Sequence, residues 1–180
     1  MYHFGFKRWI SDLKALYDPK SAWNFEGEVE PSEIAHSIFL VLFCLVPAGL
    51  IAYYSLRFAQ IEGGQPSWKP IAQLVATPVQ VVIAGALMAL FLYVGSHFNR
   101  VAKPFPIAFK AALRIMSIQP ILQLFLIFSI GSVINLIIYG YFVAKAAELV
   151  YGVPKRNARV FYYAVYFSFA FIQLQALFRT

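Results

Sequence analysis

The chain has 180 residues, 61% of them hydrophobic and 13% charged, with a mean hydropathy of +0.67; soluble domains are about half apolar and about a quarter charged, so a soluble globular fold is excluded. An aromatic content of 18% excludes a disordered chain, and the single cysteine, Cys44, excludes a disulfide framework and any multi-cysteine metal site. Fifteen Lys and Arg against eight Asp and Glu give a net charge of +7, which at this hydropathy points to a membrane surface and not to nucleic acid.

Residues 1–33 carry charges of both signs and form a cytoplasmic N-terminal segment with no apolar signal-peptide core. Within it Tyr2, Phe6, Trp9, Ile10, Leu13, Leu16 and Tyr17 recur at helical spacing between Lys7, Arg8, Ser11 and Lys14. That period predicts a short amphipathic helix, either lying in the headgroup region or packed on the protein's own spans. Asp18-Pro19 should end it, because proline disfavours helical dihedrals in the residue before it.

The remainder, 34–180, reads as a membrane domain. Spans are expected at about 34–56, with a kink at Pro47, and at 71–96, after a turn around Gly63-Gly64. Ile115–Ala144 is free of charge and far longer than one bilayer core needs. It is either one tilted helix, giving four spans in all, or part of a hairpin of spans 107–128 and 131–151, giving five. Pro120 and a turn at Ser129-Ile130-Gly131-Ser132 favour the hairpin. The last span runs over about 158–178, with Tyr162, Tyr163 and Tyr166 near one end.

Lysine and arginine accumulate in cytoplasmic loops. Five spans put twelve of these residues on the N-terminal side and three (Arg57, Lys69, Arg179) opposite, whereas four spans give nine against six. The expected architecture is therefore an all-α integral membrane bundle of five transmembrane helices, N-terminus cytoplasmic and C-terminus outside.

Chemistry-bearing residues are sparse. His3, His36, His97 and Cys44 fall at scattered positions, so no metal or cofactor is expected, and the phosphate-loop, nucleophile-elbow and zinc-protease motifs are absent. The polar residues inside the spans are Thr77, Gln80, Gln119, Gln123, Asn135 and Gln173. Gln119, Gln123 and Asn135 form a candidate polar cluster, because Pro120 frees a carbonyl; they either line a cavity or hold helices together by hydrogen bonds. Gly85-x-x-x-Ala89 and Gly140-x-x-x-Ala144 are candidate helix-packing faces, within the monomer or in self-association.

The charges inside spans three and four are the remaining candidates. Counted at 1.5 Å per residue, Arg114 and Lys145 share a level about 10 Å from the cytoplasmic face, and Lys110 and Glu148 share a shallower one. Glu148 would then face Lys110, Arg114 and Lys145. Either it pairs with one base while the other stems reach the headgroups, or the surplus charge holds an anionic lipid.

Two stretches carry a family resemblance. Tyr17-Asp-Pro-Lys-Ser-Ala-Trp23 with Glu26 and Glu28, and Ala108-Phe-Lys-Ala-Ala-Leu-Arg-Ile-Met-Ser-Ile-Gln-Pro120-Ile-Leu continuing through Gly131 to Ala147-Glu-Leu-Val-Tyr-Gly152, resemble the YIP (Ypt-interacting protein) family, bacterial-type branch. The resemblance covers roughly 17–180. It implies five helices, a cytoplasmic N-terminus, no enzymatic activity and a bacterial inner membrane location. Its eukaryotic relatives bind Rab-type GTPases and act in membrane traffic. Small GTPase binding is not expected of this chain, which has no Asp-Leu-Tyr-Gly-Pro motif before its first span. The expected function is a membrane scaffold, assembly partner or bilayer-shaping element, with membrane lipids and other membrane proteins as partners. A lipid or small-solute transporter using Gln119 and Gln123 is the alternative.

Overall fold

The computed structural model describes residues 5–17, 23–61, 68–101, 103–128 and 130–177, and side chains as far as Ile172. Tyr2, His3, Asp18-Pro19, Lys20, Gly63-Gly64, Ser129, Phe178, Arg179 and the side chain of Gln173 lie outside the described residues. So does the stretch Asp18–Ala22 of the first YIP-like motif. Among the described residues every regular element is helical.

Helix α1 covers Phe6–Tyr17. Helices α2 (Pro31–Phe43) and α3 (Leu45–Ile61) meet at Cys44 and together make an apolar run of 31 residues. Pro31 suits a first helical turn, where its missing N–H is not needed, and the Glu33 carboxylate accepts from the Glu30 N–H at 2.9 Å. Helix α4 covers Lys69–Phe98 and ends where Arg100 turns left-handed at φ 59°. There the N–H groups of Arg100 and Val101 return to the carbonyls of His97 and Ser96, the closing pattern usually supplied by glycine.

The third run breaks where proline requires it. Helix α5 (Phe105–Met116) and α6 (Gln119–Phe125) meet at 46° around Ser117-Ile118, with Pro120 in the first turn of α6. Helix α7 starts at Gly131, so the long uncharged stretch is divided between α6 and α7 and is not one tilted helix. The division needs that glycine: a Cβ on it would lie 1.8 Å from the Phe125 carbonyl oxygen. Helix α7 ends at Tyr151, capped by Gly152 at φ 66°; α8 (Lys155–Ala158), a π turn (Arg159–Tyr163) and α9 (Ala164–Leu177) follow.

Helices α5 and α7 supply most of the buried interior, much of it alanine, so neighbours approach closely. Gly95 of α4 lies under the Tyr162 ring, and Gly140 of α7 lies against Tyr166 of α9, where added Cβ atoms would fall 2.2 and 2.8 Å from the tyrosine atoms. The outer faces are apolar and exposed, as at Val75, Leu87 and Phe171.

Three runs are long and apolar enough to cross a membrane: Pro31–Ile61, Lys69–Phe98 and Gly131–Tyr151. The bent pair α5–α6 makes a fourth if taken as one span. These lengths and compositions mark a membrane protein. Helix α9, with 14 residues, is shorter than a bilayer core, and approaches a span only when α8 and the π turn are counted with it.

Candidate functional site

The sequence singles out Lys110, Arg114, Lys145 and Glu148 as one cluster; the fold divides them into two. The first gathers where α1 crosses α2 and α5. Asp12 lies on the inner face of α1, one turn from Trp9 and one from the fully buried Leu16. Its carboxylate meets Arg114 Nε at 3.3 Å, Arg8 Nε at 3.6 Å and His36 Nε2 at 3.2 Å. Glu33, whose other oxygen caps α2, meets Lys110 Nζ at 3.6 Å and Arg8 at 3.9 Å. Lys110 also donates to the Glu26 carbonyl at 2.7 Å. Trp23 and Phe25 lie against the Arg114 guanidinium, 5.8 and 4.6 Å from its centre.

These contacts overturn the pairing expected for Glu148. The carboxylates facing Lys110 and Arg114 are Glu33 and Asp12, from α2 and α1 and not from α7. Equal depth on two helices fixes the level of a side chain but not its direction around the axis. Lys145 and Glu148, three residues apart on α7, face α8 and the π turn, where they line a groove with Tyr141, Lys155, Arg159 and Tyr163. Lys145 also donates to the Leu16 carbonyl at the end of α1.

Sequence reasoning missed Asp12, Glu33, His36, Arg8 and Trp9. The readable signal was Asp12 itself, an acid on the apolar face of an amphipathic helix, where only a buried base makes it affordable.

The polar cluster of Gln119, Gln123 and Asn135 holds different roles. Asn135 Nδ2 donates to the Leu122 carbonyl at 3.2 Å, one of the last four carbonyls of α6 and so without a partner in its own helix. Gln123 lines a cavity of about 390 Å³ with Ser55, Lys69 and Gln73, at the end of the bundle away from α1. Gln119 is buried, and its Oε1 has no hydrogen-bond partner among the described residues. The small-residue faces point inward: Gly85 meets Met116, Ala89 and Ala144 are buried, and Gly140 meets Tyr166.

No family model, no curated protein and no solved structure matches the chain.

Proposed function

We propose that the chain is a non-enzymatic, YIP-type integral membrane protein of the bacterial inner membrane that shapes or scaffolds the bilayer. Five spans carry it, the fifth formed by α8, the π turn and α9, with the N-terminus cytoplasmic. The twelve-to-three distribution of Lys and Arg supports this orientation.

The observation that carries the reading is the docked α1. Its inner face is tied to α2 by Arg8–Glu33 and Asp12–His36 and to α5 by Asp12–Arg114, while Phe6, Lys7, Ile10, Lys14 and Tyr17 remain exposed on its outer face. An aromatic and basic face of this kind suits the headgroup layer. One extra helix at one end of the bundle widens the protein in one leaflet only, and a wedge bends the bilayer. The charges where α1 crosses α2 and α5 (Arg8, Asp12, Glu33, Lys110 and Arg114) are paired with one another, which favours an architectural role over a reaction centre there.

Transport is the second reading, favoured by the cavity at Gln123. Proteoliposomes separate the two. The scaffold reading predicts no lipid or solute flux above empty vesicles, and a stoichiometric membrane-protein partner or self-complex on purification in mild detergent. Flux abolished by Gln119→Leu with Gln123→Leu would establish transport instead.

A further inference from the structure

We infer that the groove between α7, α8 and the π turn binds the phosphate of an anionic glycerophospholipid whose acyl chains run down the outer seam of α7 and α9. The groove offers about 180 Å³, and Lys145, Lys155 and Arg159 line it with, among the described residues, one carboxylate, Glu148. Lys155 and Arg159, both exposed at its rim, bring positive charge that suits a phosphodiester. Lys155 and Arg159 are exposed, while Lys145 and Glu148 are half-buried. Tyr141 and Tyr163 complete the lining, and tyrosine is enriched at the headgroup level of membranes.

What lies below the groove distinguishes a lipid from a free phosphate. Ile137 is one turn from Tyr141 along α7, and Phe167 and Phe171 are one and two turns from Tyr163 along α9. Ile137, Tyr141, Phe167 and Phe171 are 42%, 50%, 54% and 60% exposed. A charged mouth thus opens onto an uncovered apolar strip that reaches Ile137 about 12 Å from Lys145, eight steps along α7 at the helical rise. That order, cations above and hydrocarbon below, follows the layout of a phospholipid, and basic pockets between helices on the cytoplasmic side bind such headgroups. Arg114, engaged by Asp12, Trp23 and Phe25, is not part of the site.

The assignment rests on the chain being a membrane protein, not on its scaffold role. Native mass spectrometry of the full chain in detergent, titrated with phosphatidylglycerol or phosphatidylcholine, tests it. Phosphatidylglycerol should bind, phosphatidylcholine at least about tenfold more weakly, and Lys155→Gln with Arg159→Gln should remove that preference. Arg156→Gln, an exposed neighbour outside the groove, should leave it intact. Phe167→Ser with Ile137→Ser should weaken phosphatidylglycerol while leaving any binding of inorganic phosphate unchanged. Equal retention of both lipids, or a preference untouched by the Lys155 and Arg159 changes, overturns the site. Displacement of phosphatidylglycerol by inorganic phosphate, with no effect of the seam variants, overturns the lipid as its occupant. A chain extracted from membranes by alkaline carbonate would instead defeat the membrane reading itself, whatever the titrations give.

Discussion

The Trp9 indole donates a hydrogen bond of 2.6 Å to the Ser117 carbonyl, at the point where α5 breaks from α6. The two residues come together because each supplies what the other lacks. The break leaves the Ser117 carbonyl outside the helical ladder, and the buried edge of α1 brings an N–H to it. One turn along α1, Asp12 meets Arg114, one turn back along α5. The N-terminal helix thus closes the break between α5 and α6 while neutralising the charge of Arg114.

Asp12 and Arg114 should behave as a buried pair. Asp12→Ala leaves the arginine without its carboxylate and is expected to cost about 3 to 5 kcal/mol, whereas an Asp12→Leu, Arg114→Met double change should recover most of that loss. Denaturation in detergent, followed by near-ultraviolet circular dichroism, measures both. A double variant no more stable than Asp12→Ala alone would show that the pair does not hold α1.

The glycines separate by what surrounds them. Gly131→Ala has no room, since its Cβ would fall 1.8 Å from a backbone oxygen, so it should disrupt the α6–α7 hairpin. Gly85→Ala places its Cβ 3.6 Å from the flexible Met116 side chain, an ordinary contact, and should be neutral or stabilising by up to about 1 kcal/mol through helix propensity. Thermal unfolding of the two variants side by side reads the difference. A destabilised Gly85→Ala would mean that the Met116 side chain packed against it cannot give way.

Arg100 holds a left-handed conformation that glycine adopts without strain. Arg100→Gly should therefore stabilise the protein by roughly 1 kcal/mol, read as a higher unfolding temperature. A lower temperature would mean that the arginine side chain makes a contact outweighing its backbone cost.

Local signals in the sequence reached far into this fold. Proline 120 and Gly131 mark the break and the hairpin, because missing donors and missing Cβ atoms act on their immediate neighbours. The pairing of Asp12 with Arg114 was out of reach, as the two lie 102 positions apart and periodicity names a face without naming what covers it. Lys145 and Glu148 illustrate the same limit. Rise per residue gave their depth, while their direction toward α8 depends on how α7 is rotated against α5 and α9. The Asn135 amide was legible as an interhelical donor, but its acceptor, the Leu122 carbonyl, exists only because α6 stops at Phe125.

The proposed topology rests on the distribution of Lys and Arg and is open to a direct test. A reporter fused after Thr180 should be active only when it requires the outer side, and one fused before Phe6 only when it requires the cytoplasm. Cytoplasmic activity at both ends would reduce the bundle to four crossings, with α9 failing to span.

The wedge is tested most directly by vesicle shape. Electron cryomicroscopy of proteoliposomes, at matched protein density, should show smaller or tubular vesicles with the native chain and a return to the protein-free size distribution with Trp9→Ala, Asp12→Asn, which releases α1, compared only in preparations whose near-ultraviolet circular dichroism shows the remaining helices still packed. Indistinguishable size distributions for the native chain and that variant would contradict a bilayer-shaping role.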